Sequence, residues 1–107
     1  MKKPVFTGAA VAIITPFKST GEVDYEEFGK IIDHQIAHGT GCIVVCGTTG
    51  EASTLSTKEK VQLTKFTVDL AAGRVPVIAG TGGNCTESTL TLTQEIETLG
   101  VDGLLII

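Results

Sequence analysis

One arrangement occurs twice in this chain and limits the folds that are open to it. A short apolar run is followed by a Gly-Thr-x-Gly loop and then by a stretch with helical spacing. The first copy has the apolar run 42–46 and the loop Gly47-Thr48-Thr49-Gly50, and the second has the run 75–79 and the loop Gly80-Thr81-Gly82-Gly83. Apolar runs of this length that are rich in β-branched residues are typical of strands buried on both faces. Such strands alternating with helices predict an α/β fold with a parallel sheet and right-handed crossovers.

The remaining segments fit the same alternation and predict the order βαβαβαβ. Strands are predicted at 5–14, 42–46, 75–79 and 104–107, and helices at about 24–38, 56–73 and 86–100. Asp24 and Ser56 are typical N-cap residues, and Glu59, three residues after Ser56, completes a capping box. The last apolar run leaves a strand edge uncovered, and we expect the sequence to be a piece of something longer rather than a strand completed by a second copy.

The composition argues against several classes of protein. A net charge of -4 and a pI near 5.0, with no basic cluster, argue against binding to nucleic acid or to an anionic membrane. No apolar run approaches the ~18 residues of a membrane span. The basic start and the apolar residues 5–14 loosely resemble a secretory signal, but Pro4 and Gly8 interrupt the stretch and no small-residue cleavage site follows. We therefore expect a first strand in a cytoplasmic protein.

The cysteines and histidines do not form a metal-binding pattern. Cys42 and Cys46 lie on one predicted strand, roughly 13 Å apart at the usual rise per residue, so they cannot form a disulfide with each other. We expect these two and Cys85 to be small buried apolar residues in a reducing compartment. His34 and His38 lie one helical turn apart without a third ligand, which predicts solvent-exposed side chains and no metal.

The loop at 47–51 is the strongest candidate for a site, because it lies where α/β proteins bind ligands, at the carboxyl end of a buried strand. It lacks the lysine of a phosphate loop, and Glu51 would repel an anion if it pointed inward. The second loop has only the first two glycines of a dinucleotide-binding fingerprint, so we expect a tight turn with positive φ there. Two interpretations of Thr48 and Thr49 stay open: donors to a small anion, or turn residues whose hydroxyls satisfy the local backbone.

Six segments occur in the same order in the pyruvate-dependent class I aldolases. They are Phe6-Thr7-Gly8, Thr15-Pro16-Phe17, Val23-Asp24-Tyr25, Gly47-Thr48-Thr49-Gly50-Glu51, the run from Val75 to Gly82, and Gly100-Val101-Asp102-Gly103. The chain resembles this family along its whole length, and most closely its dihydrodipicolinate synthase branch. The resemblance implies the first βα units of a (β/α)₈ TIM barrel, incomplete in this chain, with residues 1–107 as the amino-terminal part of a single barrel domain.

The resemblance also implies an activity. In that branch a lysine forms a Schiff base with pyruvate, and the resulting enamine attacks aspartate semialdehyde in lysine (diaminopimelate) biosynthesis. No metal or organic cofactor takes part, and the enzyme is a homo-oligomer of two or four subunits. By position, Thr49 would hold the pyruvate carboxylate, with Gly47 beside it in the substrate loop. Thr48 would pass protons between two tyrosines.

Other positions limit what the resemblance implies. Ser53 and Asn84 match positions near the lysine-feedback site of the family. Three neighbouring positions depart from the family pattern, namely Thr57, Lys60 and Ser88. The Schiff-base lysine and the catalytic tyrosines of the family lie beyond residue 107, and the one tyrosine here, Tyr25, is at a helix start. We therefore expect the 107-residue chain alone to be inactive.

Two alternatives remain beside the synthase. One is a sister aldolase, such as N-acetylneuraminate lyase or a 2-keto-3-deoxy sugar-acid aldolase, although the Thr48-Thr49 pair favours the synthase. The other is a non-catalytic half-barrel that binds small carboxylates or assembles with copies of itself.

Overall fold

The structure, a computed structural model, describes residues 4–106. Within that part, strands and helices alternate in the predicted order. The elements are β1 Ala10–Ala12, α1 Tyr25–Ala37, β2 Cys42–Val45, α2 Thr57–Ala71, β3 Val77–Gly80, α3 Thr86–Glu97 and β4 Gly103–Leu105, with a 3₁₀ helix at Ala52–Thr54 between β2 and α2. No helix in these residues is long and apolar enough to span a membrane.

The four strands form one parallel sheet in the order β1-β2-β3-β4. Val11 lies opposite Ile43, which in turn lies opposite Val77, so the strand centres are in register across the first three strands. Each strand connects to its neighbour through a helix, the connection that parallel pairing requires. The predicted parallel sheet is confirmed.

The helices pack on one face of this sheet and form the core. The sheet supplies Ile43, Val45, Val77 and Ala79, all nearly or fully buried. The helices supply Phe28, Ile32, Leu63, Leu92 and Ile96. Because burial of one such side chain contributes about 1.5–3 kcal/mol, this contact is the main source of cohesion between the two layers.

The opposite face of the sheet carries small or partly exposed apolar side chains. Ala12, Val44 and Ile78 share a register on this face, and Ala12 is exposed while the other two are half-buried. Parallel sheets in complete proteins are covered on both faces. This face is therefore the one that would line the interior of a closed barrel.

The strands are shorter than predicted, for local reasons. Residues 5–9 stay outside β1 because Gly8 has φ +93°, which interrupts an extended backbone. The second strand ends at Val45 because Cys46 has φ +58°. The third begins at Val77 rather than at residue 75, after Pro76, which has no N–H for the ladder. The fourth lies at Gly103–Leu105 rather than 104–107, and Ile107 is outside the described residues.

The predicted helix starts are confirmed by their hydrogen bonds. The Asp24 carboxylate accepts from the Glu27 N–H at 3.1 Å. The Ser56 hydroxyl accepts from the Glu59 N–H at 3.1 Å, and the Glu59 carboxylate accepts from the Ser56 N–H at 2.9 Å. This capping box fixes the start of α2 directly after the loop that follows β2.

Candidate functional site

The loop that leaves β2 turns at two residues that are not glycine. Cys46 and Glu51 have φ values of +58° and +60°, in the left-handed region, whereas neither Gly47 nor Gly50 has a positive φ. A non-glycine residue in this region costs roughly 1–2 kcal/mol. Backbone strain of this kind is concentrated at functional sites, where the surrounding structure holds it in place.

Gly50 serves close packing rather than a left-handed turn. A Cβ at this position would lie 3.0 Å from the Ile13 carbonyl oxygen and 3.2 Å from Thr15 Oγ1. The buried Thr15 hydroxyl donates to the Gly50 carbonyl at 2.7 Å. The absence of a side chain therefore lets the loop lie against the end of β1, where Thr15 fixes it.

Hydrogen bonds inside the loop leave the N–H groups of Thr48 and Thr49 available to a ligand. The Gly50 and Glu51 N–H groups donate to the Gly47 and Thr48 carbonyls at 3.1 and 2.9 Å. In the described part of the chain, the N–H groups of Thr48 and Thr49 donate to no backbone acceptor. Both threonine side chains are exposed, whereas Gly47 and Gly50 are buried. Two adjacent N–H groups and two hydroxyls can thus bind a ligand.

The second loop, after β3, packs against the first. A Cβ at Gly80 would overlap the Cys46 carbonyl oxygen and would lie 3.3 Å from the Gly47 Cα. The predicted positive φ in this loop is wrong, since none of its glycines is in the left-handed region. Close approach between the two loops explains Gly80 instead. Thr81 is buried, and its N–H donates to the Leu105 carbonyl at 3.1 Å, which ties the end of β3 to β4.

The two loops and the start of α2 line a cavity of about 430 Å³ that is partly open to solvent. Its lining comprises Cys46, Gly47, Thr48, Ala52, Ser53, Lys60, Gly80, Gly82, Gly83, Asn84 and Leu105. The structure therefore brings four of the residues selected from the sequence to one place, namely Gly47, Thr48, Ser53 and Asn84. Thr49 is exposed on the same loop but is not among the lining residues.

Lys60 and Thr15 belong to this region and were not selected as site residues from the sequence. Lys60 is half-buried and lines the cavity, and Thr15 anchors the loop. For Thr15 a signal existed, because it follows the first strand and so lies at the same edge of the sheet. For Lys60 only the packing of α2 against the loop reveals the contact.

The three cysteines differ from one another. Burial raises the pKa of the Cys46 thiol to about 11, although the neighbouring Thr64 hydroxyl and the Lys60 ammonium oppose the rise. Burial also raises the pKa of Cys42. The expectation of burial is wrong for Cys85, which is exposed as the N-cap of α3, and the N–H and hydroxyl of Ser88 lower its pKa.

The remaining candidates lie away from the loops. His34 and His38 are exposed, as predicted, and the His38 ring lies against its own helix, with Nδ1 2.8 Å from the His34 carbonyl oxygen. Among residues 4–106, no three His, Cys, Asp or Glu side chains are placed to hold a metal ion. Tyr25 packs its ring 5.2 Å from that of Phe66, and burial raises the pKa of its hydroxyl. It is a packing residue.

The model of the dihydrodipicolinate synthetase family matches residues 5–107 of this chain. The chain belongs to this family. It is 50% identical over 103 residues to the 4-hydroxy-tetrahydrodipicolinate synthase of Lachnoclostridium phytofermentans, a match that covers 96% of this chain and 35% of that relative. The chain thus spans about a third of the length of the curated relatives it matches.

Solved structures of the family have the same fold. Dihydrodipicolinate synthase from Aquifex aeolicus superposes with a TM-score of 0.90 at 50% identity, over 94% of this chain and 34% of that one. The Acinetobacter baumannii enzyme, solved in complex with pyruvate, gives a TM-score of 0.90 at 44% identity over 92% of this chain and 34% of that one. These neighbours are TIM barrels, of which this chain corresponds to the amino-terminal third. The predicted first βα units of a (β/α)₈ barrel are confirmed.

Proposed function

We propose that the protein with this sequence acts as a 4-hydroxy-tetrahydrodipicolinate synthase. It condenses pyruvate with aspartate semialdehyde through a lysine Schiff base, in lysine biosynthesis. The proposal includes a cytoplasmic homo-oligomer and a single barrel domain whose amino-terminal part is residues 1–107. The family match supports it. The observation that carries it is the exposed Thr48-Thr49 pair, whose N–H groups have no backbone acceptor in the described residues, at the carboxyl end of β2.

Thr49 is proposed to bind the pyruvate carboxylate. A carboxylate is held best by several converging donors, and Thr49 offers both a backbone N–H and a hydroxyl. Gly47 is proposed to belong to the same substrate loop, where it is buried and its Cα lies against Gly80. The loop is fixed by Thr15 and by its own hydrogen bonds, so these donors are held in place before the substrate arrives.

Thr48 is proposed to relay protons. A hydroxyl both donates and accepts, which a relay between two other groups requires. Tyr25 does not supply one of those groups, because its ring packs against Phe66, between α1 and α2. The tyrosine partners are therefore proposed to come from outside residues 4–106.

The Schiff-base lysine is also proposed to lie outside this chain. A lysine nucleophile must be neutral, which usually requires a desolvated site or a cationic neighbour. Lys58 and Lys65 are exposed on α2, and Lys65 pairs with Asp69 at 3.0 Å. Lys60 is only half-buried.

Steady-state kinetics of the complete gene product with pyruvate and aspartate semialdehyde test this function. We expect Thr49→Val to raise the KM for pyruvate about 10–100-fold, because a hydrogen bond to a charged group is lost. Thr48→Val should instead lower kcat by about 100-fold or more. Thr20→Val, at an exposed turn, serves as the matched control and should change neither value. Turnover of N-acetylneuraminate in place of the condensation would contradict the proposal.

Borohydride trapping tests the location of the nucleophile. The complete gene product incubated with pyruvate and borohydride should gain the mass of a reduced pyruvyl adduct. Residues 1–107 expressed alone should gain none. An adduct on the isolated 107-residue chain would contradict the inference that the lysine lies elsewhere.

A further inference from the structure

The peptide group that joins Gly50 to Glu51 is held at both of its polar ends. Its carbonyl, that of Gly50, accepts from the Thr15 hydroxyl at 2.7 Å, and no backbone N–H of the described residues donates to it. Its N–H, that of Glu51, donates to the Thr48 carbonyl at 2.9 Å. Thr15 follows β1, so this single peptide group connects the end of that strand to one of the two threonines of the substrate loop.

The backbone directly after this peptide group is strained. Glu51 has a φ of +60°, which is unfavourable for a residue with a Cβ. If the peptide group turned over by about 180°, this angle would become about −120°, in the favourable extended region. Gly50 permits such a flip because it has no Cβ. The flip would turn the Glu51 N–H away from the Thr48 carbonyl and would break one of the hydrogen bonds that shape the loop.

Thr15 is itself held in place by its neighbours along the chain, and it is only 4% exposed. The residue before a proline is largely restricted to extended backbone, so Pro16 limits the conformations of Thr15. The Pro16 carbonyl accepts from the Asp24 N–H at 2.9 Å. On the other side of Thr15, the Ile13 N–H donates to the Val44 carbonyl at 3.1 Å. The Thr15 hydroxyl therefore donates from a fixed position.

We propose that Thr15 is a positioning residue for the pyruvate-binding loop. Its hydroxyl keeps the Gly50–Glu51 peptide in the strained orientation in which the loop presents Thr48 and Thr49. The inference rests on the proposed function for the identity of the substrate. Without the hydroxyl, part of the free enzyme has the flipped peptide and binds pyruvate poorly. The apparent affinity then falls with the fraction of molecules that stay competent, whereas saturating pyruvate restores the competent loop.

Steady-state kinetics of the complete gene product test this role. Thr15→Val should raise the KM for pyruvate about tenfold or more, while kcat stays within about threefold. Thr15→Ser keeps the hydroxyl and should bring KM back to within about threefold of the wild-type value. If Thr15→Val does not fold, as judged by circular dichroism, Thr15→Ala takes its place. A variant that had merely lost stability would have a smaller folded fraction and so a lower apparent kcat at an unchanged KM.

Thr67→Val is the matched control for these kinetics. Its buried hydroxyl also donates to a backbone carbonyl, that of Leu63 at 2.8 Å, but it lies within α2 rather than at the loop. The substitution removes the same chemical group from a buried position. We expect the KM for pyruvate to stay within about twofold of the wild-type value.

A second substitution tests the strain itself. Glu51→Gly makes a positive φ favourable, so the native orientation of the peptide no longer has to be held against strain. Combined with Thr15→Val, it should lower KM at least about threefold toward the wild-type value. Glu51→Ala removes the same carboxylate but keeps the Cβ, and it should give no such recovery. Equal recovery by the two substitutions would contradict the proposed cause.

Hydrogen exchange tests the loop without any need for activity. In the substrate-free complete gene product, the Glu51 amide should exchange about tenfold faster or more in Thr15→Val than in the wild type, because the flipped peptide does not donate to Thr48. The Ile43 amide, which donates to the Pro76 carbonyl at 3.1 Å, should exchange within about threefold of the wild-type rate and so reports an intact sheet.

Failure of this inference is distinct from failure of the proposed function. If the wild-type protein does not convert pyruvate and aspartate semialdehyde, the proposed function fails, while hydrogen exchange still tests the role of Thr15. An unchanged exchange rate at Glu51 in Thr15→Val would overturn the inference. A fall in kcat at an unchanged KM would overturn it as well.

Discussion

The two loops that follow β2 and β3 share the pattern Gly-Thr-x-Gly but are used differently. In the first, Thr48 and Thr49 are exposed, and their N–H groups have no backbone acceptor within residues 4–106. In the second, Thr81 is 2% exposed, and its hydroxyl has no hydrogen-bond partner in the described part. The first loop presents polar groups, whereas the second buries its threonine and packs against the first.

The glycines differ in the same way. Gly47 could carry a methyl group with only an ordinary 3.7 Å contact to Val44 Cγ1, whereas Gly80 could not, because Cys46 and Gly47 occupy that space. The second loop thus sets the position of the first. A repeated sequence pattern at strand ends can therefore combine one loop that exposes polar groups with one supporting loop.

The largest effect should come from Gly80→Ala. The added methyl would overlap the Cys46 carbonyl oxygen, and both partners are backbone that cannot rotate away. We expect a loss of about 3 kcal/mol in the free energy of unfolding, measured by urea denaturation. Gly83→Ala is the matched control in the same loop, because its methyl would meet only Thr89 Oγ1 at 3.5 Å. Equal losses in the two variants would show that the loops are not held by this contact.

A pair of isosteric substitutions should separate the two buried threonines. Thr15→Val removes the 2.7 Å hydrogen bond to the Gly50 carbonyl and leaves that oxygen unsatisfied, so we expect a loss of about 2 kcal/mol in unfolding free energy. Thr81→Val removes a hydroxyl that has no partner in the described residues, so it should be neutral or stabilising by up to about 1 kcal/mol. Thermal melts of the two variants should therefore shift differently. A marked destabilisation by Thr81→Val would mean that its hydroxyl is paired in the complete protein.

Much of the fold could be predicted because its signals are local. Asp24 and the Ser56–Glu59 capping box mark helix starts through hydrogen bonds spanning three residues. The apolar runs identify buried parallel strands without any knowledge of their partners. The position of the candidate site followed from the rule that parallel strands bring their carboxyl ends to one edge.

The features that could not be predicted depend on contacts distant in sequence. Cys46 and Glu51 adopt positive φ without being glycine, and nothing in their identity signals it. A side chain at position 80 is excluded by the backbone of Cys46, which lies 34 positions earlier in the sequence. Lys60 looks like a surface residue of an amphipathic helix until α2 is packed beside the loop. The sequence therefore predicted where the loop lies. It did not predict that Gly80 fixes the loop in place or that Lys60 brings a positive charge beside it.

We expect the smallest effect at the cysteines next to the two loops. They should differ in chemical reactivity, while the stability of the protein stays unchanged. Cys46 begins the first loop, is 2% exposed, and has a pKa raised by burial to about 11. Cys85 follows the second loop, is exposed, and has a pKa below the ordinary 9.0 because the Ser88 N–H and hydroxyl stabilise its thiolate. The thiolate is the reactive form, so at pH 8 Cys85 should react with a disulfide reagent about a hundredfold faster or more.

The pH dependence provides a further distinction. Raising the pH from 7 toward 9 should increase the Cys46 rate about tenfold per unit, since its pKa lies above this range. The Cys85 rate should rise less steeply as the pH approaches 9, because the pKa of this thiol is lowered below 9.0. Cys85→Ser should abolish the fast phase seen with the thiol reagent and leave the unfolding free energy unchanged, because the side chain is exposed. A fast phase that survives this substitution would place a reactive thiol at Cys42 or Cys46. Reactivity at Cys46 would require the first loop to open, contrary to the tight packing of Gly80 against Cys46.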